Sequence, residues 1–121
     1  LPAAIGASMS AGEAKQVILL AGDGGFQMSM QELSTIKKAK KPIKIFIFDN
    51  SALRMIVNKQ NALYCGNCVD SHLSDNPDFA LIAEAYGIDH VTLDVSCRES
   101  VKQKIADILS SDVHTIVCCK V

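Results

Sequence analysis

A three-layer α/β sandwich, with a mostly parallel sheet and helices on both faces, is predicted by three observations. Mostly apolar runs of strand length recur along the chain, helix-like spacing separates them, and the first two runs end on glycine or polar residues. Strands that alternate with helices are joined by right-handed crossovers, which lay helices over both faces of a parallel sheet.

"LPAAIGASMSAG" reads as a helix, with Pro2 in the first turn and Gly12 as its C-terminal cap. It begins on Leu1 with no polar leader, so the fold is expected to be incomplete at its N-terminus and the chain a piece of something longer. "QVILLAG" is the first strand and ends at Gly22. From Phe26 the spacing predicts a helix, with Met30, Leu33 and Ile36 on one side. Lys37, Lys38, Lys40 and Lys41 gather at its end, where cations offset the helix dipole, and Pro42 stops it. "IKIFIFDN" is a second strand that ends on Asp49 and Asn50; the stretch from Ser51 to Pro77 is expected to be irregular. "DFALIAEAYG" predicts a helix from Asp78 with Gly87 as its cap. "HVTLDV" is a third strand, "RESVKQKIADILSS" a further helix and "HTIVCCKV" a final strand. No repeat or internal boundary interrupts the chain, which predicts a single domain over residues 1–121.

The 121 residues are 49% apolar and 21% charged, as in an ordinary folded domain. A net charge of -1 gives no global reason to expect nucleic acid or a membrane surface as partner. No apolar run approaches the roughly 20 residues that span a bilayer. Five cysteines, an odd number without a signal peptide, predict free thiols and a cytoplasmic location.

"LLAGDGGFQMSM" places Asp23 among glycines where a strand hands over to a helix. A helix N-terminus offers free N–H groups and the positive end of a dipole, which suit a phosphate, and Gly24 and Gly25 let one approach the backbone. A bare carboxylate would repel that phosphate. A divalent cation between them removes the conflict: Mg²⁺ takes oxygen ligands, commonly a carboxylate or two plus substrate phosphates. Asn50, at the end of another strand, adds an amide oxygen, and a loop carbonyl just after it adds one more. The GxGxxG pattern fails at Gln27, and GxxxxGK[ST] is absent. A receiver-like phosphate module would use Asp49, but lacks the adjacent acids such a module needs on an earlier strand. Taken alone, "GDGG" is also compatible with a capped strand-to-helix turn.

Asp23 and Asn50 together, bridged by helix and strand, resemble the thiamine-diphosphate signature, which begins GDG and closes on a pair of asparagines. "LPAAIGAS", "GDGGFQMSMQELSTI", "PIKIFIFDNSALRMI" and "PDFALIAEAYGI" are similar to the C-terminal diphosphate-binding domain of enzymes of the acetolactate synthase and pyruvate decarboxylase type. The match is weak from Val57 to Asn76. The resemblance implies the thiamine-diphosphate-binding fold, with thiamine diphosphate and Mg²⁺ as cofactors. It implies that Asp23, Asn50 and the Ala52 carbonyl bind the metal, with two diphosphate oxygens and a water completing the octahedron. Gly22, Gly24, Gly25 and the backbone near Met55 and Ile56 would surround the diphosphate, Gly24 and Gly25 as N–H donors. Two positions depart from the family: Asp49 replaces the first asparagine, adding negative charge beside the diphosphate, and Arg54 replaces a common glycine and offsets it.

In the family the cofactor's carbanion adds to a small 2-oxo acid and the adduct loses CO₂, which is lyase or transferase chemistry. The resemblance further implies a homodimer or homotetramer, and an activating glutamate in an N-terminal pyrimidine-binding domain supplied by a partner subunit. No such glutamate has a counterpart here, so these residues include no catalytic one. The chain alone is expected to be inactive and to expose an apolar face near Asp23 and Asn50. Two rival readings remain: a non-catalytic phosphate- or nucleotide-binding module with a decayed site, and a zinc or redox centre at Cys65, Cys68 and His72. Cys118 and Cys119 fall in a strand, and His90 and His114 are expected to be structural.

Overall fold

The computed structural model describes residues 1–11, 15–39, 41–93 and 98–121. The expected cap at Gly12, Lys40, the end of the third strand at Asp94 and Val95, and Cys97 lie outside the described residues. Among the described residues four strands form one sheet: β1 (Val17–Gly22), β2 (Ile43–Asp49), β3 (Asp89–Leu93) and β4 (Thr115–Lys120). Their spatial order is β1-β2-β4-β3, and all three pairings are parallel. The strand last in sequence is therefore interior, held by β2 on one side and β3 on the other.

Alternation along each strand divides the core in two. On one face Ile43, Ile45 and Ile47 of β2, with Ile116 and Cys118 of β4, pack against α1 (Pro2–Ser10), α2 (Asp23–Gln27) and α4 (Phe79–Tyr86) through Ile5, Phe26, Phe79 and Ala83. On the other face Phe46, Val117, Cys119 and Leu93 pack against Ile105 and Ile108 of α5 (Arg98–Ser110). Helices on both faces make the expected three-layer α/β sandwich. The second layer is partial: Ile18, Leu20 and Phe48, on the face that α5 shares, remain 46%, 65% and 40% exposed.

Lys44 projects onto that same face from the amino end of β2, an interior strand. Its ammonium is fully buried and donates to the Ser111 carbonyl at 2.9 Å, the Ser111 hydroxyl at 2.7 Å, the Thr115 hydroxyl at 3.3 Å and the Val113 carbonyl. Four neutral oxygens thus clip the end of α5 and the start of β4 onto β2, while burial lowers the lysine's pKa.

The structure corrects two expectations. The helix predicted from Phe26 starts at Asp23, ends at Gln27 and gives way to 3₁₀ turns at Met30–Ser34 and Ile36–Lys38. Met30, Leu33 and Ile36 recur every third residue, which is the 3₁₀ repeat and not the α repeat. The stretch expected to be irregular contains α3 (Arg54–Leu63), of which Val57 alone is buried. The helix around Asp78 follows expectation: its carboxylate accepts from the Ala80 and Leu81 N–H groups, and Gly87 closes α4 in the left-handed region at φ 64°.

Candidate functional site

Two chain reversals at the carboxyl ends of β1 and β2 build the site, where open α/β sheets bind ligands. At the end of β1, Gly22 is still extended, with φ -77° and ψ 157°, and α2 begins at the next residue. Asp23 is therefore a first-turn acid, the favoured sign at a helix N-terminus. It is 2% exposed. Its Oδ1 accepts from the Gly24 N–H at 2.9 Å, and its Oδ2 accepts from Asn76 Nδ2 at 2.7 Å. The Gly24 amide, expected to face a diphosphate, is thus engaged by the acid beside it. A side chain at Gly24 would lie 2.5 Å from Leu53 Cδ2 and 3.0 Å from Leu73 Cδ1, so glycine is what lets the loop after β2 close down. At Gly25 a Cβ would meet nothing within 4 Å.

At the end of β2, the Asn50 side-chain oxygen accepts from the Ala52 N–H at 3.0 Å. Ser51 between them adopts φ 52°, uncommon for a residue other than glycine. A second segment holds it there. Leu73 N–H donates to the Ser51 carbonyl at 2.7 Å, Leu53 N–H donates to the Ser71 carbonyl at 2.8 Å, and Ala52 bridges His72 antiparallel. α3 follows directly from Leu53.

These two reversals open on one cavity of about 600 Å³. Gly22, Asp23, Gly24, Gly25, Asn50, Ala52, Met55 and Ile56 all line it, joined by Met28, Leu53 and Arg54. Its mouth is apolar and open: Met28 is 76% and Met55 81% exposed. Asp49 lies elsewhere, in the wall of a neighbouring cavity of about 500 Å³ with Asp78, His90, Cys118 and Lys120. Asn76 stands between the two acids. Its Nδ2 also donates to Asp49 Oδ1 at 2.9 Å, and its Oδ1 accepts from Gln27 Nε2 at 2.8 Å. Sequence reasoning missed both: Asn76 lies within the stretch where the family likeness is weak, and Gln27, inside a matched stretch, entered only as the residue that breaks GxGxxG.

The other singled-out groups are placed apart. Cys65 and Cys68 are free thiols, and Cys68 Sγ lies 3.3 Å from Asn61 Oδ1. Among the described residues no three His, Cys, Asp or Glu side chains come together to hold a metal. Burial raises the pKa of the free thiols of Cys118 and Cys119, which keeps them protonated. His114 Nδ1 accepts from the Ile43 N–H at 3.0 Å; burial and then the Lys44 charge hold its pKa below the usual value. Burial also lowers His90, partly opposed by Asp78.

An open parallel α/β domain with its cavity at the carboxyl ends of adjacent strands is, by class, a small-ligand-binding domain. Residues 1–119 match the family described as thiamine pyrophosphate enzyme, C-terminal TPP binding domain, and the chain belongs to that family. It is 42% identical over 106 residues to a probable acetolactate synthase large subunit of Methanocaldococcus jannaschii, covering 86% of this chain and 18% of that one. It is 37% identical over 114 residues to the acetolactate synthase isozyme 2 large subunit of Escherichia coli, covering 93% and 20%. Among solved structures, a thiamine diphosphate-dependent 4-hydroxybenzoylformate decarboxylase of Rhodococcus jostii superposes with a TM-score of 0.84 at 27% identity, over 98% of this chain and 22% of that one. The chain thus spans about a fifth of the length of the curated relatives it matches. Among the described residues no helix is long and apolar enough to cross a membrane.

Proposed function

We propose that the chain anchors Mg²⁺ and the diphosphate of thiamine diphosphate within a 2-oxo-acid decarboxylase or an acetolactate-synthase-like carboligase. The observation that carries this reading is the convergence of an acid–glycine turn and an amide–carbonyl turn, from two strands, on one cavity. The donor set fits the ion. Asp23, Asn50 and the Ala52 carbonyl are all hard oxygen donors, as Mg²⁺ prefers, and a single carboxylate leaves coordination to be completed by phosphate oxygens. The open space over Gly25 fits a group pressed against backbone. When bound, the cofactor supplies a nucleophilic carbon and an electron sink for decarboxylation.

The chain's own part is binding and orientation. Asp23 and Asn50 hold the metal, which offsets the repulsion between carboxylate and diphosphate, while the Gly25 N–H faces the phosphates. Met28, Met55 and Ile56 give the mouth of the cavity an apolar rim, suited to exclude water once covered. Residues 1–121 constitute, on this reading, the C-terminal domain of a longer enzyme whose N-terminal pyrimidine-binding domain, from a partner subunit, closes the site and supplies the proton-transfer glutamate. Positioned proton transfer of that kind contributes about 10²–10⁴-fold, so the chain alone should not turn over pyruvate.

Calorimetry with thiamine diphosphate, with and without Mg²⁺, tests the reading. Binding that requires Mg²⁺ and is lost in Asp23→Ala is expected. Equal heats without the metal, or undiminished binding by that variant, would sink it. Turnover that appears only when the N-terminal region of a relative is added would separate an enzyme domain from a non-catalytic module.

A further inference from the structure

We infer that Asn76 is the positioning residue of the metal site: its amide holds the Asp23 carboxylate in place and keeps the second acid, Asp49, out of the cofactor cavity. The inference rests on the diphosphate-anchoring reading above and deepens it.

One amide nitrogen donates to both acids, at 2.7 Å to Asp23 Oδ2 and 2.9 Å to Asp49 Oδ1. Reversing the amide would turn its oxygen onto two carboxylate oxygens, so the surroundings permit one orientation, and Gln27 Nε2 secures it by donating to Asn76 Oδ1 at 2.8 Å. The backbone is restrained as well. Pro77 disfavours helical geometry at Asn76, and Asp78 then caps α4. Because Gly24 N–H and Asn76 each take one oxygen of Asp23, the carboxylate plane is set from both sides while a lone pair on each oxygen stays available. Asp49, tied to Asn76 and to the Ser51 N–H at 3.2 Å, lines the neighbouring cavity instead. The Asn76 amide is thus a neutral partition between two acids, which a metal would otherwise draw together.

The partition makes a charge-swap experiment decisive. The probe is inorganic diphosphate with Mg²⁺, titrated calorimetrically into the 121-residue chain, with thermal unfolding of each variant recorded without ligand. Asn76→Asp sets a third carboxylate against the other two and should weaken Mg²⁺-dependent binding by about tenfold or more. Adding Asp49→Asn to it restores the count of two acids and one amide, and should recover affinity to within about threefold of the parent chain. A purely structural role would not produce recovery beyond the gain that Asp49→Asn gives on its own. If Asn76→Asp binds as the parent does while Asp23→Asn does not, the inference is overturned and the anchoring reading stands. A loss that Asp49→Asn fails to repair overturns it too. Absence of Mg²⁺-dependent binding in the parent chain overturns both. Should Asn76→Asp not fold, the charge-balanced double variant decides.

Discussion

The ring of Phe26 meets the ring of Phe79 nearly edge-on, with centroids 5.8 Å apart and planes at 77°. Phe26 follows the glycine turn that carries Asp23, and Phe79 follows the segment that carries Asn76. The aromatic pair is therefore the apolar counterpart of the Asp23–Asn76 hydrogen bond. Both fasten the same two pieces of chain.

Truncating that contact should damage fold and site together. Phe79 is 4% exposed, and Phe79→Ala is expected to cost about 3–5 kcal/mol in denaturant unfolding. In whatever fraction stays folded, Mg²⁺-dependent diphosphate binding should weaken, since Asn76 loses its anchor. Unchanged affinity in that fraction would show that the loop holds its place without the ring.

The two glycines of the turn should respond in opposite ways. Gly24→Ala makes the half-buried Leu53 and Leu73 side chains turn aside and should cost about 0.5–1.5 kcal/mol of stability. Gly25→Ala meets no neighbour and lies in a helical turn, so stability should hold or rise by up to about 1 kcal/mol. Its methyl would nonetheless occupy space at the cavity wall, and diphosphate binding should fall. Thermal melts and calorimetry on the pair separate packing from ligand space.

Acid should weaken the fold through His114. Its folded pKa is depressed, so between that value and the unfolded value of about 6.5 the unfolded chain binds the extra proton. Stability is full above about pH 6.5 and declines as pH falls through the folded pKa, because a protonated Nδ1 can no longer accept from Ile43. His114→Ala should lower stability near pH 8 by about 1–2 kcal/mol and flatten the profile between pH 7.5 and 5. His90 adds a slope of the same sign in both proteins, so the difference between them is the quantity to measure.

Asp49→Asn should tighten binding of the metal–diphosphate pair. The amide oxygen can still accept from Asn76 and Ser51, while one negative charge in the neighbouring cavity, on the far side of the Asn76 amide, is removed. Across the intervening amide the effect is smaller than the roughly 1–4 kcal/mol of charges about 4 Å apart. A severalfold gain in affinity by calorimetry is expected; a loss would mean that the second carboxylate assists the metal.

Legibility in the sequence followed the range of the interactions. β1 and β2 announce themselves as short apolar runs, and α4 by a cap at each end, all signals contained within a few residues. The reversals at Asp23 and Asn50 are equally local, and their residues could be named in advance. α3 was hidden because it is mostly polar and buries Val57 alone; its traces were Ile56 and Leu63, seven residues apart on one exposed side, and the lack of Gly and Pro from Arg54 to Leu63. Asn76 left no trace of its role, since its partners lie 53 and 27 residues away. The broken helix is readable in the three-residue spacing of Met30, Leu33 and Ile36, which is the 3₁₀ repeat, although three residues is also close to the roughly 3.6 of an α-helix.

The interior position of β4 governs the order in which this molecule can assemble. β1 and β2 can pair as soon as both have been synthesised, but β3 has no neighbour in the sheet until the strand from Thr115 to Lys120 arrives between it and β2. Neither core can close earlier, since Ile116 belongs to one and Val117 to the other. A chain stopped just before Thr115 would keep every residue of the cavity yet present two raw sheet edges, the kind that join to other molecules. Synthesis must therefore pass Lys120 before the site has a stable frame, and β4 acts as the keystone of both layers.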